Sequence, residues 1–195
     1  MSGLLRAGSI IAFLISAAPA QAHVPIEGVG GFYGGLLHPI LVPAHALALL
    51  ALGIFIGRRK HGRGIAVLIF AAALVAGLIA IALAVGELPA EEVLLGTTAL
   101  VALLVAMAWA PPGPVAWLLA AVAGAALALD SPPQTVSIEE GTIMLIGTGL
   151  GACIALATVV EGAQHVTRAW QRIAVRVLGS WIAASAILVL AMRWR

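Results

Sequence analysis

Two histidines, His38 and His45, lie within an apolar run of the chain. An ionisable side chain is costly inside a membrane, so its presence there points to function. Because imidazole nitrogen is a common ligand of transition-metal ions, the first chemistry to consider is metal binding. On a regular helix, however, this seven-residue spacing separates the two side chains by about 10 Å along the axis. One ion could not lie within about 2.1 Å of both nitrogens.

Pro39 and Pro43 change this estimate. Proline removes a backbone donor and can kink or unwind a helix, which is tolerated at membrane depth where the segment lines a polar cavity. Broken helices of this kind are where transporters commonly place their binding sites. The sequence therefore predicts that the first membrane span is interrupted near its two histidines.

A second route to metal binding starts at His23. Residues 1–22 carry a cationic Arg6, a short apolar stretch and small residues before the end, which predicts a cleavable secretory signal rather than an uncleaved first helix. Cleavage after residue 22 makes His23 the new amino terminus, whose amine and imidazole could chelate one ion, with Cu(II) favoured. Glu27 or His38 could add a ligand. The alternative is that His23 stays solvated.

The amino-acid composition indicates that these residues belong to a membrane protein. The 195 residues are 63% hydrophobic and 9% charged, with a mean hydropathy of +1.14. So much apolar surface cannot be buried in one small water-soluble core, and the polarity does not alternate as in a β-barrel. The fold class is therefore an all-α, polytopic membrane helix bundle, with the lipid bilayer as its partner. No basic run is interleaved with aromatic residues, which argues against nucleic acid.

Hydropathy divides the chain into a signal peptide, residues 1–22, and a six-helix transmembrane domain, residues 23–195. The six spans are predicted near residues 31–56, 64–85, 93–110, 115–129, 141–160 and 173–192. A polar stretch, residues 161–176, separates the last two. Small residues at helical spacing, such as Gly147 and Gly151, or Ala120 and Gly124, predict closely packed helices.

Charge sets the expected orientation. Seven basic residues fall in the loops that a periplasmic amino terminus makes cytoplasmic, as the positive-inside rule requires, while Arg193 and Arg195 are exceptions at the very end. The sequence thus predicts a multi-pass protein of the bacterial inner membrane with a periplasmic mature amino terminus. The single cysteine, Cys153, allows neither an intrachain disulfide nor a thiolate metal cluster.

The first span also resembles a known family. The segment GFYGGLLHPILVPAH is similar to the signature of the HupE/UreJ nickel and cobalt permeases, which reads Gly-Phe, a spaced Gly, then His-Pro-x-x-Gly-x-Asp-His. The matching positions here are Gly31, Phe32, Gly35, His38, Pro39 and His45. The signal peptide ending just before a histidine, the six spans and, loosely, Glu92 at the start of the third span extend the resemblance.

Two departures from the family pattern bear on the site. Val42 and Ala44 stand where the family has Gly and Asp, so the carboxylate between the histidines is missing. The family's later His-Gly-x-Ala-His-Gly motif is also absent. Fewer anionic and imidazole ligands should weaken a divalent-ion site or change its preferred ion. Asp130 could compensate if the fourth span lies beside the first; alternatively, it only begins a Ser-Pro-Pro turn.

The resemblance and the histidines together predict a transition-metal cation permease or metal-binding membrane protein. Nickel, cobalt or copper would be its ligand or substrate rather than a permanently bound cofactor, and the predicted ligands are His23, Glu27, His38, His45 and Asp130. No hydrolase, kinase, dinucleotide or haem-attachment pattern is present in the sequence, so an enzyme is not expected. The alternative is a non-transporting membrane scaffold or assembly subunit for a metalloenzyme or other membrane subunits.

Overall fold

The structure, a computed structural model, describes residues 31–83, 89–133 and 137–193. Within these ranges the chain forms seven helices and no strand, which confirms the all-α prediction. In chain order the helices are α1 (Gly31–Leu41), α2 (Pro43–Gly57), α3 (Arg63–Ala82), α4 (Ala90–Ala106), α5 (Gly113–Leu129), α6 (Ile138–Gln164) and α7 (Ala169–Arg193). The predicted signal peptide, residues 1–22, lies outside the described residues.

Three of the described helices, α3, α6 and α7, are long and apolar enough to cross a membrane. The pair α1 and α2 adds a fourth if its two bent halves form one span. Helix α5 is apolar but has 17 residues, and α4 also has 17, against roughly 20 for a full crossing. A helical membrane protein is therefore supported, while the count of six spans stays a prediction.

Helix α2 is the centre of the bundle. It contacts each of the other six described helices, and most of its residues are buried. Its sequence explains this position, because PAHALALLALGIFIG carries no Asp, Glu, Lys or Arg and is apolar on every side. Gly53 and Gly57 let α6 approach closely, since a Cβ at either position would overlap atoms of Val159 or Val160.

Glycines also bring α1 directly against α6. A Cβ at Gly35 would overlap the carbonyl of Met144, and a Cβ at Gly151 would overlap the carbonyl of Leu36. Gly147 likewise lies against the backbone of α1, and Gly124 of α5 lies against the backbone of α3. The predicted close packing at Gly124, Gly147 and Gly151 is thereby confirmed, and it is the way helices pack when lipid provides no hydrophobic force between them.

The polar stretch predicted at residues 161–176 is shorter than expected. Helix α6 continues to Gln164 and α7 begins at Ala169. The side-chain oxygen of Gln171 accepts hydrogen bonds from the N–H groups of Thr167 and Arg168, at 3.1 and 2.9 Å, which satisfies donors at the start of α7. Arg172 and Arg176 are exposed residues of α7, so the second half of the predicted polar stretch is helical.

Charges divide between the two ends of the bundle. At the basic end lie the carboxyl ends of α2, α4 and α6, joined by contacts such as the hydrogen bond from Arg59 Nη1 to the carbonyl of Pro111. At the acidic end lie the amino ends of α1, α4 and α6 and the carboxyl ends of α5 and α7. The described charged residues that the sequence assigned to one side of the membrane therefore lie at one end of the bundle.

Candidate functional site

The break in the first span is built by Pro43. Helix α1 ends at Leu41, α2 begins at Pro43, and the two axes differ by 66°. Val42 between them is extended, with φ −81° and ψ 115°, the region favoured for a residue that precedes proline. Backbone hydrogen bonds meet at Val42 from both sides of the break, from Val42 N–H to the His38 carbonyl of α1 and from Ala46 N–H of α2 to the Val42 carbonyl, both at 3.0 Å. The predicted interruption is confirmed.

The bend brings the two histidine rings together. Their centroids are 5.2 Å apart, and the rings meet edge to face at 68°. A straight helix would have separated these residues by about 10 Å along its axis. His45 is fully buried, with 0% of its surface exposed, whereas His38 is half-buried. The break therefore places the two histidines much closer together than a regular helix would, so their spacing in sequence no longer argues against a shared site.

Asp130 completes this cluster from another part of the chain. It is the residue at which α5 ends, and its Oδ2 lies 2.9 Å from Nε2 of His45. Its side chain is 16% exposed. The sequence left open whether Asp130 faces the histidines or only begins a turn, and the structure places it against His45. The fourth predicted span, now α5, thus lies beside the first.

The His45–Asp130 bond indicates which ring nitrogen faces the carboxylate. A carboxylate accepts hydrogen bonds, so His45 donates from Nε2. In the imidazole tautomer with its proton on Nε2, Nδ1 carries a lone pair. That atom is buried and has no hydrogen-bond partner in the described part of the chain. A histidine held by a carboxylate through one nitrogen, with the other nitrogen available, is the arrangement found at metal-binding histidines.

His45 differs from the other buried polar residues of the described ranges. The hydroxyls of Thr98, Ser131 and Thr148 donate to the carbonyl four residues earlier in the chain, at 2.7 to 3.0 Å. Such bonds only satisfy the hydroxyl within its own helix. His45, by contrast, is bonded to a residue of a separate helix. It is therefore the buried polar group that links two elements.

Glu91 borders this cluster and was not singled out by the sequence. It lies in the first turn of α4, before the apolar part of that helix, where it forms ion pairs with Arg193 together with Glu92. Burial raises the pKa of Glu91, and repulsion from Asp130 raises it further, while Arg193 lowers it. The sequence signal was available in Arg193, because a cation on the side of the acidic loops needs an anionic partner.

The remaining predicted ligands are not part of this cluster. His23 and Glu27 lie outside the described residues. Across residues 31–83, 89–133 and 137–193, no three His, Cys, Asp or Glu side chains converge closely enough to hold a metal ion. The structure thus places His45 beside both His38 and Asp130, with the His45–Asp130 pair as the bonded element.

Comparison with known proteins identifies the family of this chain. No curated protein and no solved structure matches the chain. The family model described as HupE / UreJ protein matches residues 11–189, which includes the broken span, the carboxyl end of α5 and nearly all of α7. A match over so much of the sequence shows that the chain belongs to the HupE/UreJ family.

Proposed function

We propose that this protein is a transition-metal permease or metal-binding membrane protein of the bacterial inner membrane, with nickel, cobalt or copper as its ion. The observation that carries the proposal is the buried His45–Asp130 hydrogen bond of 2.9 Å beside the ring of His38. Buried ionisable groups within a membrane bundle mark ion pathways. Membership of the HupE/UreJ family, which is generally linked to nickel and cobalt transport or to urease and hydrogenase maturation, supports the same function.

In this proposal His45 binds the ion through Nδ1, and Asp130 orients the ring. A carboxylate that accepts from the far nitrogen makes the imidazole a stronger ligand and holds its tautomer. This role differs from the one expected from sequence, in which Asp130 would itself replace the missing carboxylate ligand. Ala44, at the position of the family's carboxylate, is uncharged. Asp130, at the end of α5, bonds to His45 instead.

Additional ligands come from the other predicted residues. His38 is the nearest, because its ring already contacts that of His45. His23, through its free amine and imidazole after signal cleavage, and Glu27 are proposed to complete the set from the periplasmic side. Water supplies any remaining position, as it does at many sites through which ions pass rather than stay.

The proposed topology has six spans, with α1 and α2 forming the first. The acidic end then faces the periplasm and the basic end faces the cytoplasm. An ion entering at the His45–Asp130 pair would move from the acidic to the basic end. In this proposal the membrane potential is the energy source, and it favours cation entry by about 2.3 kcal/mol per charge per 100 mV.

Metal uptake tests the proposal directly. Vesicles or cells producing the native chain, His45→Ala, or His165→Ala as an exposed-histidine control are compared for accumulation of Ni²⁺, Co²⁺ and copper. We expect His45→Ala to lose uptake and His165→Ala to retain it at equal protein levels. Equal uptake by all three chains above that of empty vesicles would contradict the role proposed for His45. No uptake above that of empty vesicles would contradict the permease and favour the non-transporting scaffold.

A further inference from the structure

A pocket of about 100 Å³ lies at the basic end, away from the histidines. Its walls come from the carboxyl end of α2, the last turn of α4 and the residues that follow α4. Phe55, Arg58 and Arg59 form one side, and Leu104 and Trp109 form the other. Since a water needs only about 10–15 Å³ of such volume, the pocket has room for a small tetrahedral oxyanion.

The two arginines present hydrogen-bond donors that the described residues do not use. Arg59 is held in place, because its Nη1 donates to the Pro111 carbonyl at 3.0 Å and its guanidinium lies 5.7 Å from the centre of the Phe55 ring. Arg59 Nε and Arg58 Nη1 are nevertheless buried without an acceptor in the described ranges. A buried donor without an acceptor costs free energy, so a turn of either guanidinium toward an acceptor-rich ligand in the pocket would be favourable.

The charge around the pocket selects an anion. Neither Arg58 nor Arg59 forms an ion pair with a carboxylate of the described chain, whose ion pairs lie at the acidic end. Guanidinium groups match phosphate oxygens well, because their donors form a planar fork. Two arginines that line one cavity are therefore suited to a phosphate group.

The surroundings of the pocket indicate that this phosphate belongs to a lipid. Trp109 at the rim is 59% exposed, as is common for tryptophan at a membrane interface. Leu103 on the last turn of α4 and Met107 just after it are exposed apolar side chains next to the residues that line the pocket. Acyl chains could follow this surface while the headgroup enters the pocket. We propose that the Arg58–Arg59 pocket binds the phosphate group of an anionic phospholipid.

Lipid binding by the purified full-length chain tests this site. The chain in detergent is titrated with phosphatidylglycerol, with phosphatidylcholine of the same acyl chains and, separately, with inorganic phosphate. Bound lipid is counted by native mass spectrometry, and the shift in thermal unfolding temperature gives an independent readout. The variants are Arg58→Gln, Arg58→Lys and Lys60→Gln, the last as a charge-matched control because Lys60 is exposed in the same loop.

We expect phosphatidylglycerol to bind more tightly than phosphatidylcholine. Loss of a charge-assisted hydrogen bond should weaken that binding about tenfold in Arg58→Gln, with partial recovery in Arg58→Lys and no change in Lys60→Gln. Competition by inorganic phosphate would support the phosphate site, and stabilisation by inorganic phosphate but not by phosphatidylglycerol would overturn its assignment to lipid. Equal weakening by Arg58→Gln and Lys60→Gln would show non-specific charge attraction and overturn the site.

Discussion

The two ends of the bundle use polar side chains in different ways. At the basic end, arginines donate to backbone carbonyls: Arg59 donates to the carbonyl of Pro111 in the connection before α5, and Arg176 donates to the carbonyl of Ala106, the last residue of α4, at 2.8 Å. The second bond satisfies an acceptor that a helix end leaves unpaired. At the acidic end, His45 and Asp130 turn toward the interior and bond to each other.

The two ends thus differ in what their polar side chains do: those at one end stabilise the backbone, and those at the other form a candidate binding site. An arginine bonded to a backbone carbonyl stabilises the local backbone. A buried imidazole bonded to a carboxylate of another helix requires a particular bend and a particular neighbour, which the break before Pro43 and the end of α5 provide. The chemistry is therefore concentrated where the chain departs from regular helix.

The largest effect is expected from separating α1 from α6. Gly151→Leu places a side chain against the backbone of Leu36, and such overpacking should destabilise the fold by about 3 kcal/mol or displace α1. Gly162→Leu is the matched control, because a Cβ there meets no atom within 4 Å. Thermal unfolding in detergent measures both. Equal stability of the two variants would contradict the close packing that positions His38.

Removing the partner of His45 should have the next largest effect. Asp130→Leu leaves the buried Nε2 donor of His45 without an acceptor, which should cost about 1–3 kcal/mol of unfolding free energy. Ser131→Ala, which removes a hydroxyl bonded only to its own helix, should cost less. A double-mutant cycle between His45 and Asp130 should show coupling. Additive effects at these two positions would show that their contact contributes no stability.

A smaller effect is expected at the rim of the acidic end. Because the pKa of Glu91 is raised in the folded chain, this group makes the folded state bind a proton more tightly than the unfolded state. Its contribution to stability is present at low pH and is lost as the pH rises from the ordinary carboxyl value to the higher folded one. Arg193 lowers the pKa of Glu91, so Arg193→Gln should raise that pKa further and increase the stability that is lost as the pH rises.

The pH dependence of thermal unfolding in acid measures this effect. Glu91→Gln in the Arg193→Gln background serves as the control, because it removes the titrating carboxyl group of Glu91. We expect the added pH dependence of Arg193→Gln to disappear in the double variant. If the double variant kept the added pH dependence of thermal unfolding, another carboxyl group would be its source.

Much of this architecture follows from local sequence. The prolines predict the break, the apolar runs predict helices, and the glycines predict close helix contacts, because each effect depends on residues within a few turns. The His45–Asp130 contact joins residues 85 positions apart, and the Arg193–Glu91 contact joins residues 102 positions apart. Helical periodicity identifies the face on which a residue lies but not the helix that will pack there, so these two contacts required the structure.

The most direct test of the central claim is X-ray absorption spectroscopy of the full-length chain loaded with Ni²⁺, in the native form, His45→Ala and Asp130→Asn. If His45 binds through Nδ1 while Asp130 only orients it, His45→Ala should lose one imidazole ligand. Asp130→Asn should keep the number of imidazoles and weaken affinity by roughly 10–100-fold. An unchanged nickel environment in His45→Ala, or loss of an oxygen ligand in Asp130→Asn with affinity otherwise intact, would contradict these roles.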